Sequence, residues 1–402
     1  MKKEPISVGR PALLRHTNAL TILKLLREVR SCSRADLVRV SGMSAPTVTN
    51  VVNDLLAADL IQPLGEGESS GGRPPDMISF KADRGRILAI QITSGYLSFL
   101  LTNLSGDELD SSQVSLSGKK TNPEAICRLI DSEAKRLLRK DRKTRKQLLA
   151  LIVGVPGITN VSEGTVLSIS TLDRWRNVSL RSLLAKIFDC LIVIENDTNC
   201  SAVGERYRGA AQNQQTFVLI NIGTNVSAGI VLSGQLHHGA QWSAGEIAYL
   251  RLPNVSRRQP ALHEFGELES LLTSSGILRS WNESIGKQGG RTGAAPRQIS
   301  ASEILDLAQT GHSGAGQIIL SLSRVVADIL VNFSLILNPA LIVLGGEIGS
   351  HPFLLDSIRK ELELCEFAVP NVAAAMLGEK AVLWGAISVG LDEIPLVLLP
   401  RP

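Results

Sequence analysis

Residues 194–199, Ile-Glu-Asn-Asp-Thr-Asn, hold the side chains of this chain best suited to chemistry. They close a short apolar run that begins at Leu191, and polar residues at the carboxyl end of a buried strand face a cleft. Asp197 can accept a proton from a hydroxyl, and Asn196 can bond two hydroxyls at once. The same spacing equally suits a cap for the helix that follows, and spacing alone does not choose between the two. Glu246, in Gly-Ala-Gln-Trp-Ser-Ala-Gly-Glu at 239–246, and Glu269, in Glu-Phe-Gly-Glu-Leu-Glu at 264–269, are further acceptors able to gather around a polyol. Residues 221–229, Asn-Ile-Gly-Thr-Asn-Val-Ser-Ala-Gly, read as a glycine-bearing turn between two strands. Such a turn is either purely structural or a backbone N–H cradle for a phosphate.

The elements that must position these groups repeat. Residues 87–106 run as an apolar hairpin with a glycine in its turn and a Ser-Gly end, and residues 217–234 do the same. Each copy is followed at a distance by helices and another buried strand, Leu148–Val155 in one case and Ala340–Gly346 in the other. Two mixed-sheet α/β halves facing each other fit this pattern, and the cleft between them is the expected ligand site. The apolar stretch 317–344 is interrupted by Arg324, Asp328, Asn332 and Asn338-Pro339, so it reads as a buried helix and a strand, with no membrane span. Residues 251–263 and 285–299 read as polar loops. The run 135–146 carries eight basic side chains and one Asp, either the solvated end of a helix from Pro123 or a phosphate-contacting patch.

The first eighty residues differ in kind. An amphipathic helix over 12–29 precedes a Ser33-x-x-Asp36 capping box, a short helix with Leu37 and Val40 on its apolar side, a break at Ser41-Gly42, and a second helix capped by Ser44 with Pro46 in its first turn. Val48, Val51, Leu55 and Leu56 recur at helical spacing, which leaves Thr47, Thr49, Asn50 and Asn53 mainly on the open face. Small hydroxyl and amide groups on an exposed second helix suit the reading of base edges. A hairpin over 61–80 follows as a wing, with Arg73 in Gly-Gly-Arg-Pro either a minor-groove arginine or a plain linker residue. Residues 1–82 carry 11 Lys/Arg and 8 Asp/Glu, so +3 of the net +4 lies in this segment. The five scattered cysteines, none in a Cys-x-x-Cys pair, and the absence of an apolar leader at the start predict free thiols in a cytoplasmic protein.

Together and in this order, several segments resemble the ROK family (repressors, open reading frames, kinases) over essentially the whole chain. They are the winged helix-turn-helix, Gly-Gly-Arg-Pro, Val-Gly-Val-Pro-Gly-Ile at 153–158, Trp-Arg-Asn-Val-Ser-Leu at 175–180, Glu-Asn-Asp-Thr-Asn, the 222–234 turn and strand, Gly-Glu-Ile-Ala at 245–248, and Asn-Pro-Ala-Leu-Ile-Val-Leu-Gly-Gly at 338–346. The resemblance implies an α/β, actin/hexokinase-like two-lobed body of the duplicated ribonuclease-H-like kind, with a sugar in the cleft. It also implies that members with a DNA-binding head are sugar-responsive repressors. The expected division is 1–82 for the winged helix-turn-helix, 83–195 with 380–402 for the small lobe, and 196–379 for the large, sugar-binding and dimerising lobe.

The departures from the family pattern matter as much. Family kinases carry Asp-x-Gly-Gly-Thr in the first hairpin turn; this chain has Gln91-Ile92-Thr93-Ser94-Gly95. The second phosphate turn, Gly-Thr-Gly-x-Gly-x-Gly in the family, reads Gly223-Thr224-Asn225-Val226-Ser227-Ala228-Gly229, and the added side chains at Asn225 and Ser227 crowd the cradle. Asp197, the base by resemblance, is then vestigial and no residue is catalytic. The family's zinc-binding His is Tyr249 here, no cysteine lies between 201 and 364, and only the closing glutamate, Glu269, remains, so neither metal nor cofactor is expected; His263, His237 and His238 do not supply the pattern. The family's Asn ahead of the Trp is Thr171. The expected protein is therefore a homodimeric or homotetrameric transcriptional repressor, not an enzyme. It would bind operator DNA through Ser44, Pro46, Thr47, Thr49, Asn50 and Arg73, and a sugar or sugar derivative through Thr171, Asn196, Asp197, Glu246, Tyr249 and Glu269. The alternative is a ROK sugar kinase that keeps ATP-dependent phosphotransfer.

Overall fold

The computed structural model describes residues 11–66, 75–169, 171–253, 255, 266–287, 299–366, 369 and 371–399. At its amino end, helices α1 (Pro11–Val29), α2 (Arg34–Ser41) and α3 (Ala45–Ala57) pack with strands β1 (Ser31–Ser33), β2 (Ile61–Glu66) and β3 (Asp76–Phe80), which form an antiparallel sheet ordered β1-β3-β2. Local chemistry sets these boundaries. Ser33 and Asp36 form the reciprocal capping box of α2, and Gly42, at φ 68°, ends it in the left-handed conformation that favours glycine. Ser44 caps α3 by accepting the Thr47 N–H. Val48, Val51, Val52 and Leu55 bury one side of α3. Val40 does not share the buried side of α2; it is 62% exposed, because in so short a helix Leu37 alone reaches the core. Gly71–Pro74, including Arg73, lie outside the described residues.

The body holds two sheets of one design. The first uses β4 (Arg86–Ile92), β5 (Tyr96–Asn103), β6 (Glu108–Ser115), β7 (Leu148–Val155) and β11 (Leu191–Asn196), in the order β11-β7-β4-β5-β6. Between β7 and β11, strands β8 (Ile158–Asn160), β9 (Thr165–Ser168) and β10 (Arg176–Val178) make a small antiparallel sheet. The second main sheet uses β12 (Phe217–Ile222), β13 (Val226–Leu232), β14 (Gln235–Leu236), β15 (Leu341–Gly345) and β16 (Asn371–Ala374), in the order β14-β13-β12-β15-β16. In each, an antiparallel meander of three strands is extended on its first strand by two parallel strands. The internal echo in the sequence is thus a duplicated sheet. β4 and β7 are buried on both faces, which is why they read as unbroken apolar runs.

Helices α4 (Pro123–Lys140) and α5 (Leu180–Ala185) cover one face of the first sheet. Helices α8 (Ser274–Lys287), α9 (Ala301–Gln309), α10 (Ser313–Leu337) and α12 (Pro352–Leu362) cover one face of the second, with the short α7 (Glu269–Leu272) and α11 (Gly346–Gly349) at its strand ends. The loop expected from 285 therefore starts later, since residues 285–287 close α8. α10 is less buried than expected: Ile319, Val326 and Leu330 enter the core while Leu335 and Ile336 stay 61% and 78% exposed. Half of the basic run, which spans the end of α4 and the turn after it, is ion-paired, with Lys135 on Asp131, Arg136 on Glu133, Lys140 on Asp110 and Arg145 on Asp131.

Between the two sheets run α6 (Asp197–Arg208) and α13 (Ala381–Leu398). They meet at glycines: a Cβ on Gly204 would collide with the Ala381 carbonyl oxygen, and one on Gly385 with that of Cys200. On its other side α6 lies against β13, where a Cβ on Gly229 would strike Ala202 and the Thr198 carbonyl. α13 packs on β4 and β7. Its residues Leu383, Ile387, Leu391 and Ile394 share one apolar cluster with Ile22, Leu23 and Leu26 of α1 and Leu55 of α3. The core thus crosses the expected 82/83 boundary without a break.

The crossing yields a direct expectation. Gly385→Ala should destabilise the protein by about 3 kcal/mol or more, because backbone rather than a movable side chain occupies the space. Urea denaturation would measure it, and a loss under about 1 kcal/mol would show that the two helices can separate freely.

Candidate functional site

A cleft of about 790 Å³ opens between the two sheets. Thr171, Asn196, Asp197, Glu246, Tyr249 and Glu269 all line it, although they come from four separate stretches of chain. β11 delivers Asn196 and Asp197 to its floor at the start of α6. The turn after β13 and β14 brings in Glu246, and the start of α7 brings Glu269.

Asn196 behaves differently from its expected use as a double hydroxyl ligand. Its Oδ1 accepts the N–H groups of Thr198 and Asn199, at 2.9 and 3.1 Å, and its Nδ2 donates to the Gly157 carbonyl at 3.2 Å. The amide is therefore a helix cap that also ties the 156–158 turn to α6, and one N–H remains for anything else. Asp197 keeps more freedom. Its Oδ1 accepts the Thr198 N–H at 2.8 Å, and its carboxyl is raised to about 6, chiefly by burial. Glu246 is raised to about 7, first by burial and then by the Asp197 and Glu269 charges. Glu269 is raised by burial, against hydrogen bonds from Gly266 N and Val226 N. The three carboxylates form a field of acceptors turned to the cleft.

Sequence reasoning missed a buried carboxylate that braces the start of α6. The Glu195 carboxylate is buried beside it and accepts from Asn196 N at 2.8 Å and Asn199 Nδ2 at 3.0 Å, while its other oxygen meets His238 Nε2 at 2.8 Å. That contact raises the His238 imidazole above its ordinary value. A carboxylate at the end of an apolar strand is the available sequence signal; the His partner, 43 positions away, has none.

Both glycine-bearing turns are closed on themselves. In the first, Thr93 Oγ1 takes the N–H groups of Gly95 and Tyr96 at 3.3 and 3.0 Å, and Thr93 N donates to the Tyr96 carbonyl. In the second, Gly223 N donates to Asn225 O at 3.1 Å and the Asn225 side chain accepts from Asn221 Nδ2 at 2.8 Å. Ser227, expected to crowd the turn, already belongs to β13, and its hydroxyl meets Thr198 Oγ1 at 2.6 Å. Among the described residues no three His, Cys, Asp or Glu groups are placed to hold a metal, and His263 lies outside those residues.

On the amino-terminal helices, Thr49 and Asn50 are exposed on α3. Thr47 is half-buried, and its hydroxyl is 2.8 Å from that of Ser44, so these two side chains are partners of each other. Asn53 accepts from Arg34.

The ROK family model matches residues 87–393. The chain belongs to the ROK family. It is 25% identical over 400 residues to the "Xylose repressor" of Caldicellulosiruptor bescii, covering 96% of this chain and 98% of that protein. Among solved structures, it is similar to a ROK family transcriptional regulator described as a homolog of the E. coli MLC protein, with a TM-score of 0.79, 23% identity, and coverage of 96% and 99%. It is also similar to the ROK hexokinase from Thermus thermophilus, with a TM-score of 0.62 and 22% identity over 75% of this chain and 97% of that one. The body therefore has the two-lobed, actin/hexokinase-like fold of these proteins.

The cleft charges have a thermodynamic sign. Asp197 and Glu246 bind protons more tightly in the folded chain than their ordinary 3.8 and 4.5 would give. The native state thus holds extra protons in that window, and stability falls as pH rises from about 4 to about 7. Glu246→Gln should stabilise the ligand-free protein by about 2 kcal/mol at pH 8 and hardly at all at pH 4. Thermal melts at the two pH values check this, and equal effects at both would remove the electrostatic explanation.

Proposed function

We propose that this chain is a DNA-binding transcriptional repressor of carbohydrate uptake or catabolism genes, acting in the cytoplasm, whose ROK body senses a sugar and transfers no phosphate. The observation that carries the reading is the joint presence of a capped, outward-facing α3 and a cleft whose glycine-bearing turns have used several of their own N–H groups. A kinase needs those donors for its nucleotide; in this chain the Thr93 hydroxyl and the Asn225 carbonyl hold several of them. Similarity to the xylose repressor runs nearly end to end, whereas the similar hexokinase matches three quarters of the chain, which favours a regulator over a kinase.

In this reading residues 1–82 are a winged helix-turn-helix, with Ser44, Pro46, Thr47, Thr49 and Asn50 at the major groove and Arg73 at the minor groove. Residues 83–195 with 380–402, and residues 196–379, are the two lobes. A sugar lies between them, its hydroxyls on Asp197, Glu246 and Glu269, its rim shaped by Thr171 and Tyr249, with Asn196 positioning the floor. Two copies place two heads on half-sites separated by whole turns of the duplex. The route from cleft to DNA is short and stiff. Asp197 starts α6, α6 crosses α13 at backbone contact, and Arg27 of α1 holds the Leu391 carbonyl and lies 3.9 Å from Asp392 at the far end of α13. A sugar that bridges the lobes shifts DNA affinity by its preference for one lobe arrangement, with an expected coupling of about 1–3 kcal/mol and weaker operator binding.

The test uses an operator selected from random DNA by the intact protein. Asn50→Ala should cost roughly 1–3 kcal/mol on that operator and little on unrelated duplex. Equal losses on both would remove base reading from α3. Asp197→Ala should retain operator affinity and lose the response to sugar; a variant that still responds fully places the effector elsewhere. ATP with the best-binding sugar should give no phosphorylated product, and turnover that disappears in Asp197→Asn would reinstate the kinase alternative.

A further inference from the structure

The cleft carries more information about its ligand than the word sugar conveys. Five carboxylates line it, those of Asp197, Glu246, Glu269, Glu347 and Glu379, and among the described lining residues there is no Lys, Arg or His. A phosphate group would meet negative charge with no cation to offset it, and of the turn N–H groups, those of Gly95, Tyr96 and Gly223 are already bonded to Thr93 and Asn225. The remaining polar lining is hydroxyl and amide, the functional groups that exchange hydrogen bonds with an uncharged polyol.

The cleft also extends beyond these groups. The Asp197–Glu246–Glu269 group occupies one part, with turn 223–225 beside Glu269 through the Val226 N–H. Turn 93–96, the Gly346–Glu347 start of α11 and residues 378–379 wall a second end. Pockets of about 300–1,000 Å³ hold drug-sized ligands, and a hexose, with about a dozen heavy atoms, is roughly half of one. At about 790 Å³ a single ring on the Asp197 group leaves the second end filled with water. That end has the wall a second ring needs. Tyr96 is half-exposed to the cleft and lies near enough to Glu379 to feel its charge, so an aromatic face and a carboxylate acceptor stand together there. Aromatic side chains with a few placed polar groups are the usual lining of sites that hold a ring in one orientation.

We infer that the effector is an uncharged saccharide of two or more units, one ring held at Asp197 and Glu246 and the next lying along Tyr96 between the two closed turns. The inference rests on the sugar-sensor reading above and narrows it to a ligand class. Phosphorylated sugars and nucleotides are excluded by charge.

Calorimetric titration of the full chain tests it. The probes are glucose, xylose, galactose and mannose, the disaccharides cellobiose, xylobiose, maltose, lactose and mannobiose, and glucose 6-phosphate and ATP. The best disaccharide should bind at least tenfold more tightly than any of its component monosaccharides, and neither phosphate compound should bind measurably. Tyr96→Ala, which removes the second wall, and Glu379→Trp, which fills that end from an exposed position, should each abolish the tenfold gain while leaving monosaccharide affinity unchanged. The proposal is overturned if monosaccharides bind as tightly as disaccharides, if the gain survives both variants, if both variants weaken monosaccharides to the same degree, or if a phosphate compound binds best. In the first two cases the sugar-sensor reading stands and only the two-unit ligand is lost. If no saccharide of either size binds, both readings fall together.

Discussion

Because Gly204 and Gly385 have no side chain, α6 and α13 cross at backbone contact in the layer between the two sheets, and the remaining geometry follows from that crossing. α6 can then lie against β13, where Gly229 allows the same close approach, and α13 can lie against β4 and β7. Closely packed interiors do not deform smoothly; they shift between discrete arrangements. Glu205 adds a second constraint. It is fully buried on α6 and accepts from Ala210, Met376 and Leu377, which fixes the C-terminal end of α6 to the segment leading into α13. The pair is thus pinned along its length, with Asp197 at one end and the α1 contact at the other.

The cleft is electrostatically costly by construction. Three carboxylates share a desolvated space, and Glu195 lies behind them with its charge shared between backbone, an amide and His238. Such a site is least comfortable without ligand, and hydroxyl donors relieve it because each supplies hydrogen bonds to the charged form. Binding preference and charge relief therefore have the same origin.

What the sequence revealed and what it hid divide along a physical line. Capping boxes, glycine ends and buried strands were legible because a few neighbouring residues determine them: Ser33 with Asp36, Gly42 after α2, the unbroken apolar run of β7. The duplicated sheet was legible because both copies repeat the same hairpin. The division of labour inside Asn196-Asp197 was not, since a cap and a sugar ligand use the same amide atoms and only the position of Gly157 separates them. Val40 misled because helical spacing indicates a face but not what lies opposite it. The pairing of Lys140 depends on Asp110 of a neighbouring strand, and that of Glu195 on a histidine in a remote loop; neither is encoded in local pattern.

The shared apolar cluster of α1, α3 and α13 has a consequence for how such a chain can change over time. A head with its own sealed core can be exchanged by recombination, one specificity for another, like a cartridge. This one shares part of its apolar surface with the body, and cutting near residue 82 would open the cluster that joins α1 to α13. Change is freer on the outer face of α3, one residue at a time, while α1 stays matched to a helix encoded far downstream.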